Sequence, residues 1–168
     1  MLGLALGLLL AGPALAAELD SQLQDLLAKH DSAPTQAEFQ ALGEGVDAEL
    51  LRLAQDPETR SSARARAILA LGWYPSPQAQ VFLTSTLAEG SGVDRRKAAQ
   101  ALATGWGYSP ALEQALADQD VQLRMATIRA LAQLDSPQAH QALQARVMTE
   151  TDEDVQALLA ESLTEGAP

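Results

Sequence analysis

The chain has 168 residues, a formal net charge of −11 and no cysteine, which excludes a disulfide framework, a thiolate metal site and a thiol nucleophile. Residues 17–50 carry eight acids against one lysine, and residues 130–168 seven against one arginine, while residues 51–129 carry nine bases and seven acids. A phosphate backbone would be repelled at both ends, so nucleic acid is not an expected partner.

The first segment reads as an address. Met1 to Ala11 is an uncharged Leu/Ala/Gly run, and Pro13-Ala14-Leu15-Ala16 adds a helix breaker and small residues at both specificity positions. That is the apolar region and A-x-A pattern of a secretory signal peptide. Its dozen or so apolar residues fall short of the roughly twenty needed to span a bilayer. Residues 1–16 are therefore expected to be removed after Ala16, giving a periplasmic or secreted mature chain that starts at Ala17. Lacking a cysteine for lipidation, the mature form is expected to have no stable membrane anchor. Its length of about 150 residues fits one domain.

Residues 17–45 then read as N-terminal capping helices. Leu19 to His30 is amphipathic through Leu19, Leu23, Leu26 and Leu27, and Thr35 to Leu42 reads as a degenerate helix between Pro34 and Gly43-Glu44-Gly45. Asp47 to Gln55, with Leu50, Leu51 and Leu53, reads as the second helix of a pair and is ended by Asp56-Pro57.

From here the chain repeats itself. Ala63 to Leu71 leads to Trp73 and Ser76-Pro77, Asp94 to Leu102 leads to Trp106 and Ser109-Pro110, and Leu123 to Leu131 leads to Ser136-Pro137. Arg64, Arg95 and Arg124 recur at intervals of 31 and 29, and Leu71, Leu102 and Leu131 keep step. A period near thirty marks stacked two-helix units, because one unit cannot bury its own apolar face. Helix A of each unit is alanine-rich, and helix B opens on Ser-Pro, a good N-cap followed by the residue best suited to the first helical position. Seven residues after each serine stands a core leucine: Leu83, Leu116 and Leu143. Val155 to Leu163 reads as a fourth helix A acting as a C-terminal cap, with Gln156 in place of the arginine. No strand signal competes.

Six residues before each helix-A arginine stands an acid: Glu58, Glu89 and Asp118, with Glu150 holding the place before Gln156. These acids are expected in the turns between units, where an arginine from a neighbouring helix can hold both carboxylate and backbone.

Leu123-Arg124-x-Ala126-x-x-x-Ala130-Leu131 followed by Asp135-Ser136-Pro137-x-Ala139-x-x-x-Leu143 resembles the short bacterial HEAT-like repeat of the phycobilisome-lyase type. The likeness covers roughly residues 46–163. It implies an all-α, right-handed solenoid of about four to five helix pairs over residues 46–164, with the B helices lining a concave face. A tetratricopeptide array is disfavoured, since the intervals vary and its Trp/Leu-Gly/Tyr pattern is not met. Such repeats serve as plain scaffolds, as accessory subunits of enzyme complexes and as lyases, so the resemblance implies architecture and leaves chemistry open.

No catalytic constellation is legible. His30 and His140 lie in different units, Gly90-Ser91-Gly92 lacks the nucleophile elbow, and Gly43-x-Gly45 and Gly105-x-Gly107 lack a third glycine and a preceding strand. Asp152-Glu153-Asp154 lacks the spacing of a calcium loop. No catalytic residue, metal or cofactor is expected. The candidate partner-binding residues fall into two sets. Trp73, Tyr74, Trp106 and Tyr108 lie in two equivalent turns, where they either staple repeats together or anchor a partner. Positions four, five and eight after each helix-B serine are Gln80, Val81, Thr84; Glu113, Gln114, Ala117; and His140, Gln141, Gln144. That surface is polar with little charge and suits a protein or peptide. The expected function is an exported, non-catalytic scaffold for such a partner. The alternative is an accessory subunit of an enzyme complex, or a lyase-like protein handling a prosthetic group.

Overall fold

The computed structural model describes residues 13–29 and 32–165, and side chains over 16–29 and 32–164. Residues 1–12, most of the expected leader, lie outside the described residues, as does His30. The described residues form ten α-helices and one short 3-10 turn and contain no strand. The helices are α1 (Pro13–Ala28), α2 (Gln36–Gln40), α3 (Val46–Gln55), α4 (Ser61–Ala70), α5 (Pro77–Glu89), α6 (Gly92–Trp106), α7 (Pro110–Ala115), α8 (Val121–Ala132), α9 (Pro137–Val147) and α10 (Glu153–Glu165). The 3-10 turn, Leu71–Trp73, extends α4.

They stack in two layers. In the A layer α1 packs on α4, α4 on α6, α6 on α8 and α8 on α10. In the B layer α3, α5, α7 and α9 each pack on the A helix that follows. The A helices meet closely because their facing residues are small: Ala67 and Ala70, Ala98, Ala99 and Ala101, Ala126 and Ala130 are all buried. Leu71, Leu102 and Leu131 fill the seam from the A side, and Leu83, Leu116 and Leu143 from the B side; each is at most 3% exposed. Ser76, Ser109 and Ser136 cap α5, α7 and α9, their hydroxyls accepting from the N–H groups of Ala79, Leu112 and Ala139 at 3.2–3.4 Å. Proline follows at the first helical position in all three. The close packing lies on the A side, since among the B helices only α5 and α7 make more than marginal contact.

One placement differs from the expectation. The A-layer position before α4 belongs to α1, not to residues 35–42. Those residues form only the five-residue α2, held by a capping box between Thr35 and Glu38 with Phe39 buried beneath it. α1 wins the place with Leu23, Leu26 and Leu27, all buried against the next helices. Arg66 of α4 fastens it by donating to the carbonyls of Leu27, at 2.6 Å, and Lys29. α1 also begins at Pro13, so the Ala16–Ala17 junction lies inside a helix.

The arginine ladder runs from turn to turn. Arg95 pairs with Asp118 through both guanidinium nitrogens and donates to the Leu87 carbonyl at 2.8 Å. Arg124 takes Glu150 bidentately at 2.9 and 3.0 Å and donates back to the Asp118 carbonyl at 2.9 Å. Arg124 thus holds the backbone of the turn before it and the carboxylate of the turn after it, while Arg95 holds the last helical turn of α5 and the carboxylate of the turn after α7. Gln156 keeps the backbone half, donating to the Glu150 carbonyl at 2.7 Å. The first rungs depart from the pattern. Arg64 reaches Asp94 at 3.2 Å instead of Glu89, and Glu58, which has no arginine on α1 before it, stands exposed with Glu89.

Candidate partner-binding surfaces

The two aromatic turns sit where successive units come closest. A β-carbon on Gly72 would lie 2.8 Å from the Ala101 carbonyl oxygen, and one on Gly105 would lie 2.9 Å from the Gly72 carbonyl oxygen. Two backbones in such contact admit only glycine. Each glycine is followed at once by a tryptophan, so Gly72-Trp73 and Gly105-Trp106 form a second repeated signature. It could have been found from the sequence by looking one residue upstream of each indole.

Trp73, Tyr74, Trp106 and Tyr108 are all half-buried and pack on the core. Trp73 meets Phe39 with ring centroids 5.7 Å apart at 47°, which ties α2 to the end of α4. Tyr108 Oη donates to Glu113 Oε2 at 2.5 Å, joining two of the expected site residues within one pair. That bond, with some burial, raises the phenol above its ordinary value. Tyr74 is raised by burial and by the Asp47 carboxylate, and its hydroxyl is enclosed without a protein acceptor among the described residues. Each ring thus packs on the core and leaves part of its surface to solvent.

The B-helix positions are open. Gln80, Val81, Thr84, Glu113, Gln114, Ala117, Gln141 and Gln144 are exposed. His140 is only half-buried, because its ring lies along α9 with a nitrogen 2.9 Å from the Gln144 amide. His140, Gln141 and Gln144 line an open groove of about 580 Å³ with the α8–α9 turn and Ser162 of α10. Asp135 lies in the same groove, yet no hydrogen bond among the described residues joins it to His140 or links His140 to Ser162. No set of three His, Asp or Glu side chains converges as a metal site among the described residues. None of the described helices is long and apolar enough to cross a membrane.

The B side has an apolar place on α5. Between α3 and α5, Gln55, Pro77, Gln78, Val81, Phe82 and Ser85 line a shallow groove of about 520 Å³. Val81 is 72% exposed there beside half-buried Phe82. Gln80 and Thr84 flank it on the same helix. Phe82, Pro77 and Gln55 were not among the residues singled out from sequence. The groove opens because α3 and α5 stand apart, a gap that residue spacing along either helix does not encode.

No curated protein matches this chain. Residues 89–164, from the end of α5 through α10, match the family profile for HEAT repeats.

Proposed function

We propose that the protein is a non-catalytic scaffold whose B-helix side binds a polypeptide partner. HEAT repeats are commonly protein-interaction scaffolds, which favours a binding role. The observation that carries the reading is the apolar groove around Val81. A valine left 72% exposed beside a half-buried phenylalanine, in a rim of glutamine, serine and threonine, suits one apolar anchor with hydrogen-bonding flanks. Low charge along the B helices favours a neutral, extended segment.

Two finer statements belong to the same proposal. The repeats are of the short, right-handed kind resembling those of phycobilisome lyases, as the 31- and 29-residue spacing of Arg64, Arg95 and Arg124 supports. The protein works outside the cytoplasm after cleavage behind Ala16. The α1 side chains that reach the core, Leu23, Leu26 and Leu27, all lie beyond that point, so cleavage spares them.

Panning a displayed random peptide library on the immobilised full chain tests the binding role. Enriched peptides should carry an apolar residue among uncharged polar ones. Val81→Asp should weaken them at least about tenfold, near 1.4 kcal/mol, without lowering the melting temperature. Peptides that bind the variant as well as the parent, or a library that yields none, contradict the reading.

A further inference from the structure

The chain holds eleven Lys and Arg against twenty-two Asp and Glu, so carboxylates are plentiful wherever a cation needs one. Arg52, Arg64, Arg95, Arg96, Arg124 and Arg146 all have a carboxylate within ion-pair reach. Lys97 and Arg129 have none among the described residues. They stand on α6 and α8, two A helices in direct contact. Arg129 is exposed and lines a groove of about 450 Å³ that crosses α4, α6 and α8 on the A side. Leu69, Gln100, Ala103, Thr104 and Gln133 form its other walls, and no acid lines it. Lys97 Nζ donates to the Gln100 side chain at 3.2 Å, which places the ammonium one hydrogen bond from that wall. Arg66, at the same repeat position on α4 as Lys97, spends its hydrogen bonds on backbone carbonyls. The middle of the A layer is thus positive, in a protein whose two ends are strongly negative.

We propose that this A-side groove binds an acidic peptide segment of a partner protein. Arg129 and Lys97 take its carboxylates, and the Leu69–Ala103 floor takes an apolar side chain between them. Charge complementarity selects the occupant, because two cations without a carboxylate partner among the described residues, beside a groove no acid lines, attract carboxylates and discriminate against basic segments. A short peptide fits within the positive central helices, whereas a nucleic-acid strand would run on towards the acidic ends. This surface is separate from the B-side groove, and either can fail without the other.

The test uses the full chain and a fluorescein-labelled dodecapeptide of glutamates interleaved with alanine and leucine, followed by anisotropy. Binding is expected at about 10 mM salt and should weaken clearly at about 300 mM, where charges are screened over less than a nanometre. Lys97→Ala with Arg129→Ala should weaken it at least about tenfold, each cation being replaced by a side chain without charge. Arg60→Ala, which removes an exposed cation away from this groove, and Val81→Asp should leave binding unchanged. Should the double variant lose its helical circular dichroism, Lys97→Gln and Arg129→Gln singly carry the same test. Four results would overturn the proposal: no binding at low salt, equal binding by the double variant, equal loss with Arg60→Ala, or displacement by oligothymidylate of matching charge. A peptide-free protein whose sedimentation at low salt shows self-association that the double variant abolishes would assign the groove to a second copy instead.

Discussion

Glu150 has no exposed side-chain surface, yet it keeps its charge. Burial alone would raise its carboxyl. The N–H of Asp152, the guanidiniums of Arg124 and Arg146 and the N–H of Thr151 together outweigh that and bring it down to about 2 from 4.5. An acid whose folded value lies below its unfolded one contributes stability that is full above the unfolded value. That contribution is lost as pH falls through the folded value. The window here runs from about pH 5 down to about pH 2, and the contribution is at most about 3 kcal/mol. Chemical denaturation at stepped pH should therefore show stability falling across that window. In Glu150→Gln the slope should flatten, and stability at neutral pH should drop by about 3–5 kcal/mol, because two guanidiniums lose their buried counter-charge. An unchanged slope would mean that Arg124 and Glu150 do not lock these turns. Glu38 is also held near 2, chiefly by its hydrogen bond from Lys29, but this pair lies at the surface, where water screens the gain.

At the scale of the elements, the A layer is held by contacts of two kinds with different failure modes. Leu131 fills a space and is 1% exposed, so Leu131→Ala should leave a cavity and cost about 2–5 kcal/mol. Gly105 occupies no space at all, and a methyl group there would press on the Gly72 carbonyl 2.9 Å away. Gly105→Ala should cost about 1–3 kcal/mol by overpacking, with no helix propensity gain to show for the added alanine. If thermal melts show Gly105→Ala to be neutral or stabilising, the backbone contact between the two aromatic turns is not tight. The leucine was legible from the period, and so were Ser76, Ser109 and Ser136 as caps, because both follow from local chemistry repeated three times. The Gly-Trp pair is visible as a repeat, but the reason for the glycine is not, since it lies in another turn some thirty residues away. The ladder was half legible for a similar reason. In an array of period near thirty, an acid six residues before an arginine and one twenty-odd after it hold the same repeat position. Spacing marks the acids, and only the structure assigns Asp118 to Arg95 and Glu150 to Arg124. α1 escaped the pattern because it carries neither the arginine nor a Ser-Pro helix directly behind it. Of the candidate surface residues, exposure at Gln80, Val81 and Thr84 follows from helical register, whereas the groove beside them depends on the gap between α3 and α5.

Over the whole molecule, charge and residue size together describe how the stack ends. Measured from the repeat arginine, Ala157 and Ala160 of α10 occupy the places that Met125 and Ile128 hold on α8. Ile128 is buried between helices, while both alanines are exposed, with Glu153, Asp154 and Glu161 around them. The outer face of α10 is thus small and acidic where the matching face of α8 is larger and apolar. The outer side of α1 is acidic as well, with Glu18 and Asp25 exposed. Like charge at both ends opposes head-to-tail stacking of copies, the failure mode to which repeat arrays are most open. Glu153→Lys with Glu161→Lys would cut the net charge of residues 130–168 from −6 to −2 and set two lysines on the outer face of α10, where they can meet the acidic outer side of α1 in the next copy. Sedimentation velocity at low ionic strength should then show a weight-average mass that rises with concentration for the variant and stays constant for the parent. At about 1 M salt, where screening acts within about 3 Å, the two should sediment alike. If the variant shows no concentration dependence at low salt, the acidic ends are not what keeps copies apart, and the small alanine face of α10 suffices by itself.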